Sequence, residues 1–175
     1  ELEGRLREIR DSGLPVVTLY DDPLSENIPN VGIDQKTVGK IATRHLIERG
    51  CRRIAHIVNI ENRYNGCVEA QKEAGIKSIP ELARREGMRF GHRTGEEVVR
   101  NLLEEGIVFD GMVAQSDAEA IGAMNELFRR GLSVPREVRV IGVDDSPLCS
   151  LSRGPLSSVY QCIRERAETA TELLC

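Results

Sequence analysis

Four stretches of this chain repeat one pattern, in which a helical segment ends in charged residues and glycine and an apolar segment follows. The four junctions are LREIRDSG with LPVVTLY, HLIERG with CRRIAHIV, NLLEEG with IVFDGMVA, and ELFRRG with LSVPREVRVIGV. Glycine just beyond a helix accepts the left-handed conformation that ends it. Because strands that alternate with helices in this way form parallel βαβ units, the pattern predicts an α/β fold.

Composition narrows the class of protein. With 40% hydrophobic and 30% charged residues, the 175-residue chain is typical of a globular protein, and its net charge of −4 argues against binding nucleic acid by itself. The sequence contains no run of about eighteen apolar residues, so no membrane span is predicted. The opening ELEGRLREIRDSG is too charged for a signal peptide. The five cysteines lack the spacing of a zinc site or a redox pair, so we interpret them as reduced thiols and expect a cytoplasmic protein.

Helix starts and chain breaks can also be predicted. Thr94 with Glu97 and Ser116 with Glu119 have the spacing of capping boxes, in which each side chain satisfies a free amide of the first helical turn. The polar stretches NIENRYN, RREGMRFGHRT and SPLCSLSRGPLSS are predicted to interrupt regular structure. Ligands of parallel sheets bind beyond the carboxyl ends of the strands, so the loops after predicted strands 54–58, 111–114 and 138–143 are the candidate binding loops.

Polar side chains follow all three of these strands. Arg63 comes soon after the first, Ser116 and Asp117 follow the second, and Asp144 and Asp145 follow the third. If the strands are neighbours, an arginine fork and a carboxylate can together hold vicinal hydroxyls of a ligand. Structural roles remain open from spacing alone: Arg63 can pair with Asp144, Ser116 can be only a cap, and Asp145 can only hold a turn.

Enzyme and metal motifs are missing from the sequence. It has no nucleophile elbow, phosphate loop, dinucleotide fingerprint or zinc-binding H-E-x-x-H. Asp144 and Asp145 could contact Mg²⁺, but adjacent strand residues point to opposite faces and no second carboxylate cluster is evident. His45 and His56 are interpreted as structural. We therefore expect a binding protein with no catalytic residues, no metal and no cofactor.

The chain resembles the lactose/galactose repressor (LacI/GalR) family of transcriptional regulators. The resemblance rests on four collinear segments, namely VGIDQKTVGKIATRHLIERGCRRIAHI, RYNGCVEAQKEAGI, VAQSDAEAIGAMNELFRRGLSVP and VPREVRVIGVDDSPLCSLSRGPLSSVYQ. The last is similar to the family's V-P-x-D-[IV]-[SA]-V-[IV]-G-[FY]-D-[DN] followed by P-L-T-T-[VI] and Gln. Together the segments span nearly the whole chain, and four in the same order are far more specific than one.

The resemblance implies a periplasmic-binding-protein-like α/β fold of type I, with two parallel-sheet, Rossmann-like lobes and an effector in the cleft between them. Residues 1–33 would be part of the N-terminal lobe, which is incomplete here. Residues 34–160 would form the C-terminal effector-binding lobe, and residues 161–175 would return to the N-terminal lobe. The helix-turn-helix through which the family contacts operator DNA would lie outside this chain.

The family's effector-binding positions can be transferred one by one. Its arginine in R-x-x-G matches Arg63, and the first acid of G-[FY]-D-[DN] matches Asp144, with Asp145 left to hold the turn. The glutamine after P-L-T-T matches Gln161, and the aromatic residue of a preceding loop is assigned to Phe90. Ser116 stands where the family has a ligand-contacting asparagine, which keeps a hydrogen-bonding group but shortens its reach. Asp117 is interpreted as a structural residue of the turn or helix cap.

Three functions from different classes are weighed. The favoured one is the effector-sensing core of a cytoplasmic LacI-type regulator, whose partners would be a sugar-like small molecule (a sugar or a related polyol or nucleoside), operator DNA through the separate helix-turn-helix, and a second copy in a homodimer. No membrane partner is expected. The alternative is an extracytoplasmic sugar-binding receptor of a transport system, which shares the fold. The third is an α/β enzyme, for which the chain offers no nucleophile or base.

Overall fold

The computed structural model describes residues 2–21, 27–85 and 91–175, and these form an α/β fold, as predicted. The helices are α1 (Leu2–Asp11), α2 (Gln35–Glu48), α3 (Glu61–Glu73), α4 (His92–Glu104), α5 (Asp117–Arg129) and α6 (Ile163–Leu174). The strands are β1 (Ile54–Ile57), β2 (Ala83–Arg84), β3 (Gly111–Val113), β4 (Arg139–Asp144) and β5 (Ser157–Tyr160). Short 3₁₀ turns lie at Pro80–Leu82 and Pro147–Leu151.

The chain divides into two compact units. The larger takes residues 35–160 and contains the whole five-stranded sheet, while the smaller takes residues 1–34 and 161–175. In the smaller unit, a parallel bridge joins Thr18 to Asn30, and Arg166 donates hydrogen bonds to the carbonyls of Leu19 and Val31. The stretch LPVVTLY, which was predicted to be a strand, contributes only that bridge among the described residues.

All strands of the sheet are parallel, in the order β2-β1-β3-β4-β5. Alternate residues of β1, β3 and β4 point to opposite faces. One face packs against α4 and α5 and forms the main hydrophobic core, which includes Ile57, Met112 and Val140 with Leu102 and Leu127. The other face packs against α2, and against α3 through the contact of His56 with Tyr64. Each face of the sheet is therefore covered by a pair of helices, as buried parallel sheets require.

Glycines allow each pair of helices to approach closely. A Cβ atom at Gly39 of α2 would overlap the carbonyl of Arg63 in α3, and one at Gly66 of α3 would overlap the carbonyl of Lys36 in α2. The pair on the other face repeats the arrangement. There, Gly95 of α4 approaches the carbonyl of Glu119, and Gly122 of α5 approaches that of His92. These contacts fix the amino-terminal turns of α3 and α5, where the polar residues of the candidate site lie.

Two of the predicted chain breaks are only partly correct, and one predicted helix cap is wrong. NIENRYN does not stay irregular, because α3 begins at Glu61 and places Arg63 in a helical first turn. The predicted capping box at Thr94 does not form, because Gly91 precedes the helix and Thr94 lies inside it. The stretch SPLCSLSRGPLSS contains a 3₁₀ turn and the start of β5, whose pairing with β4 outweighs the weak strand preference of its serines. The Ser116 cap does form, since its side chain accepts a hydrogen bond from the Glu119 amide.

His56 should make the stability of the fold depend on pH. It lies in β1, is 2% exposed and contacts Tyr64 edge-on with ring centroids 5.5 Å apart. Burial lowers the pKa of His56 to about 4, and the neighbouring Gln71 side chain opposes this shift only in part. Because the unfolded chain binds this proton near pH 6.5 and the folded chain only near pH 4, stability is lost as pH falls between these values.

We expect the free energy of unfolding to drop by about 2 kcal/mol between pH 7 and pH 5 through His56 alone. Urea denaturation of the wild-type protein and of His56→Gln at both pH values measures this contribution. The exposed His92 supplies the control, because His92→Asn should retain the wild-type dependence. An equal drop in wild type and His56→Gln would contradict the assignment.

Candidate functional site

The sheet has a topological switch point at its carboxyl edge. The chain leaves β1 through α3 to reach β2 on one side, and β3 lies on the other side of β1. The loops that follow β1 and β3 therefore diverge onto different faces and leave a crevice, which is the general ligand position in open parallel sheets. Residues 59–63 lie shortly after β1, and residues 115–117 lie shortly after β3. These two segments form the first part of the site.

Arg63 is anchored at this switch point. Its side chain is 1% exposed, and its Nε and Nη2 both donate to Oε1 of Gln35, at 2.8 and 2.5 Å. Its Nη1 donates to the carbonyl of Gln115 at 2.5 Å. The guanidinium of Arg63 therefore lies between the first turn of α2 and the loop after β3, held by two neutral acceptors.

A buried carboxylate extends this arrangement. Glu119 in the first turn of α5 is 0% exposed, and its Oε2 accepts from the Gln115 amide at 3.0 Å while Oε1 accepts from Nδ2 of Asn59 at 2.7 Å. Burial raises the pKa of Glu119, although both hydrogen bonds and the charge of Arg63 oppose the shift. We call the five residues Gln35, Asn59, Arg63, Gln115 and Glu119 the switch-point network.

A second set of hydrogen bonds shapes the turn after β4. The buried carboxylate of Asp117 accepts from the Ser146 amide at 2.7 Å and from the Ser158 hydroxyl at 2.5 Å, and the same hydroxyl accepts from the Asp145 amide at 2.9 Å. Asp117 can approach β4 because Gly142 has no side chain, and a Cβ there would overlap the carboxylate. These contacts, which we call the β4 turn network, tie the start of α5 to the ends of β4 and β5.

The two adjacent acids adopt unusual backbone conformations. Asp144 ends β4 opposite Tyr160 with φ 121°, and Asp145 follows with φ 53°. Aspartate enters the left-handed region more readily than most residues, but two successive positive φ values are uncommon and point to a functional constraint. Because of these two φ values, the chain turns sharply where β4 reaches the carboxyl edge of the sheet. Asp144 is half-buried at this turn, and Asp145 is exposed.

The structure distributes the predicted site residues over three places. Arg63 lies in the switch-point network, and Ser116 lies directly beside it as the amino-terminal cap of α5. Asp117 and Asp145 both contact Ser158 in the β4 turn network. Gln161 follows β5, is half-buried and belongs to the smaller unit. Phe90 lies outside the described residues.

Sequence reasoning missed four residues of the switch-point network: Gln35, Asn59, Gln115 and Glu119. Asn59 and Gln115 are the second residues after β1 and β3, so the rule about carboxyl ends could have included them. Glu119 was predicted to be part of a capping box, and its carboxylate also accepts hydrogen bonds from Asn59 and Gln115. Among the described residues, no group of three or more histidine, cysteine or acidic side chains is arranged to hold a metal ion.

We expect Asp117→Asn to lower the free energy of unfolding by about 1–2 kcal/mol. An amide has one acceptor oxygen where the carboxylate has two, so either Ser146 N–H or the Ser158 hydroxyl loses its acceptor. Denaturant titration measures the loss. Asp145→Asn is the matched control and should change stability little, because Asp145 is exposed and its bond to Ser158 comes from the backbone. A larger loss in Asp145→Asn than in Asp117→Asn would contradict this account.

A model of the periplasmic binding protein-like domain family matches residues 43–175 of the chain. The chain belongs to this family. The parallel α/β architecture of the larger unit agrees with that assignment, and the predicted periplasmic-binding-protein-like fold class is confirmed. Among the residues that the structure describes, no helix combines the length and the apolar character needed to cross a membrane.

Similar proteins place this periplasmic-binding-protein-like domain among transcriptional regulators. It is 33% identical over 174 residues to the ribose operon repressor of Halalkalibacterium halodurans, a match that covers 96% of this chain and 51% of the relative. The resemblance to the LacI/GalR family is thereby confirmed, and the chain is an effector-binding core of that family. It spans about half the length of the curated relatives it matches.

Solved structures agree with this placement. A sugar-binding LacI-family regulator from Escherichia coli, complexed with phosphate, superposes with a TM-score of 0.85 and 29% identity over 98% of this chain and 64% of its own. The regulator CelR in complex with cellobiose gives a TM-score of 0.82 and 29% identity over 97% of this chain and 54% of its own. Both neighbours are transcriptional regulators, which does not favour the transport-receptor alternative.

Proposed function

We propose that this domain senses a small-molecule effector for a LacI-type transcriptional regulator, and that the effector is a sugar or a related polyol or nucleoside. The observation that carries the proposal is Arg63, a cation anchored at the switch point of a parallel sheet. Arginine has five N–H donors in a fixed plane. Three of its hydrogen bonds, to Gln35 and the Gln115 carbonyl, fix the orientation of that plane.

The acceptor of the proposed site is Asp144. A carboxylate at the end of β4 can accept hydrogen bonds from ligand hydroxyls, while Arg63 donates to their oxygen atoms. The positive φ of Asp144 turns the chain at the carboxyl edge, and the β4 turn network holds that turn in place. Ser116 and Gln161 are proposed as further effector contacts, and Phe90 is a third candidate.

Binding becomes regulation when the effector prefers one arrangement of the protein over another. An effector shifts a two-state protein only by its differential affinity for the two states. We propose that the larger unit provides the effector-binding lobe, that operator DNA is contacted by a helix-turn-helix in another segment, and that the full-length protein is a cytoplasmic homodimer matched to paired half-sites. No catalytic, metal or cofactor role is proposed.

Calorimetric titration tests this function. The panel contains D-ribose, D-galactose, cellobiose and adenosine, which together represent pentoses, hexoses, disaccharides and nucleosides. We expect saturable 1:1 binding of at least one member and a change in operator affinity of the full-length regulator when that member is added. A protein that binds no member of the panel, or that binds one with unchanged operator affinity, overturns the proposal.

A further inference from the structure

Asn59 and Glu119 make a contact that none of the predicted effector residues explains. Asn59 is the second residue after β1, and its Nδ2 lies 2.7 Å from Oε1 of Glu119. Glu119 is completely buried, and the described hydrogen bonds to its two oxygens come from the neutral Asn59 side chain and the Gln115 backbone amide. Burying a carboxylate without an ion pair is costly, so stability alone gives little reason for Glu119 at this position.

The carboxylate fixes which way the Asn59 amide faces. The two ends of an asparagine amide have similar shapes but opposite hydrogen-bonding character. An ionised carboxylate only accepts hydrogen bonds, so the Nδ2 end must face Glu119 and the Oδ1 end must face away. The second oxygen of Glu119 is held by the Gln115 amide, which prevents the carboxylate from turning aside.

The Oδ1 atom of Asn59 is therefore displayed at the carboxyl edge as an acceptor. Asn59 is half-buried, and Oδ1 accepts no hydrogen bond from any residue that the structure describes. The side chain of Asn59 is therefore not enclosed by the described part of the protein. Through Glu119 and Gln115, Asn59 is linked to Arg63, which places this acceptor in the same network as the proposed effector donor.

We propose that Asn59 is a specificity-determining residue that accepts a hydrogen bond from one effector hydroxyl, and that Glu119 is a positioning residue that fixes the Asn59 amide. This inference rests on the proposed function and names the chemistry of one part of the same site. The group recognised is a hydrogen-bond donor. An effector that carries an acceptor of similar size at that position is rejected, because two acceptors then face each other.

Deoxyfluoro analogues test the inference, since fluorine has nearly the size of a hydroxyl group but cannot donate a hydrogen bond. The probes are D-ribose, D-galactose, cellobiose and adenosine. The Kd of each probe is compared with the Kd of each of its mono-deoxyfluoro analogues. For one position of the bound probe, we expect the wild-type protein to prefer hydroxyl over fluorine by about ten- to a hundredfold in Kd. In Glu119→Gln, the new amide can donate to Oδ1 and let Asn59 turn over, so this ratio should fall below about threefold.

Two further variants separate positioning from simple destabilisation. Asn59→Ala removes the acceptor and should lower the same ratio even if Glu119→Gln folds poorly. Glu126→Gln is the matched control, because Glu126 is a buried glutamate of the same helix that pairs with Arg129 and Arg130 near its other end. It should keep the wild-type ratio whatever its melting temperature.

The possible failures can be told apart. If wild type binds a probe but Glu119→Gln and Asn59→Ala both keep the wild-type ratio, the inference is wrong and the proposed function stands. The inference is equally wrong if no position of the bound probe shows the preference in wild type. If wild type binds none of the probes, the proposed function fails and this inference fails with it.

Discussion

Arg63→Met should weaken effector binding by about ten- to a hundredfold, the loss that corresponds to one charged hydrogen bond of roughly 1.5–3 kcal/mol. Methionine keeps much of the buried stem of Arg63 but has no N–H group to donate. Arg63 is also the link between Gln35 and the Gln115 carbonyl, so its loss leaves both acceptors without their donor. Calorimetric titration of the bound panel member against wild type and Arg63→Met measures the change.

The controls for Arg63→Met address charge and folding. Arg164→Met removes an exposed arginine of α6, whose partner is Glu168 in the same helix, and should leave effector affinity unchanged. Because Arg63 is buried, Arg63→Met should also lower the melting temperature, so affinity is compared well below both transitions. Wild-type affinity in a folded Arg63→Met protein would remove Arg63 from the site.

Gly122→Ala should lower the free energy of unfolding by about 3 kcal/mol, at the upper end of the range for overpacked interiors. The new methyl group would overlap the backbone carbonyl of His92, and backbone yields less readily than the end of a flexible side chain. The helix pair α4–α5 must therefore separate, which also moves Glu119 at the start of α5. Urea denaturation measures the loss of stability.

Gly4→Ala is the control for Gly122→Ala. Gly4 also lies within a helix, but no atom lies within 4 Å of where its Cβ would be. Alanine has the higher helix propensity, so this exchange should be neutral or stabilising by up to about 1 kcal/mol. If both glycine variants are equally stable, the helix contact at Gly122 is less tight than the structure indicates.

The sequence was most informative where hydrophobic periodicity and strand ends decide the structure. The strands predicted over 54–58, 111–114 and 138–143 are present as β1, β3 and β4. No end of these strands differs from its prediction by more than one residue. The rule that ligands bind at carboxyl ends then selected Arg63, Ser116 and Asp144 without knowledge of the topology. The effector roles of these residues remain predictions.

The features that could not be predicted from the sequence depend on contacts between distant parts of the chain. Gln35 and Arg63 are 28 residues apart, and they meet because Gly39 lets α2 and α3 approach closely. Asn59 and Glu119 are 60 residues apart and meet only because β1 and β3 are neighbours in the sheet. The strand β5 was missed because its serines have a weak strand preference, and pairing with β4 decides its conformation.

The paired acids after β4 show the same limit at shorter range. Their position could be predicted from spacing, but the positive φ of both residues depends on the Asp117 carboxylate and the Ser158 hydroxyl, which come from other elements. The prediction that Asp145 holds the turn omitted these partners. In the structure, Asp145 contributes only its backbone amide to the β4 turn network.

Hydrogen exchange measured by mass spectrometry tests the central claim, which is that the effector binds at the carboxyl edge of the larger unit's sheet. Exchange is compared with and without a saturating concentration of the panel member that binds. The account predicts slower exchange in segments 59–66, 114–119 and 143–147, with little change at the opposite edge in segments 106–110 and 132–138. Protection confined to the opposite edge, with no change after β1, β3 and β4, would contradict it.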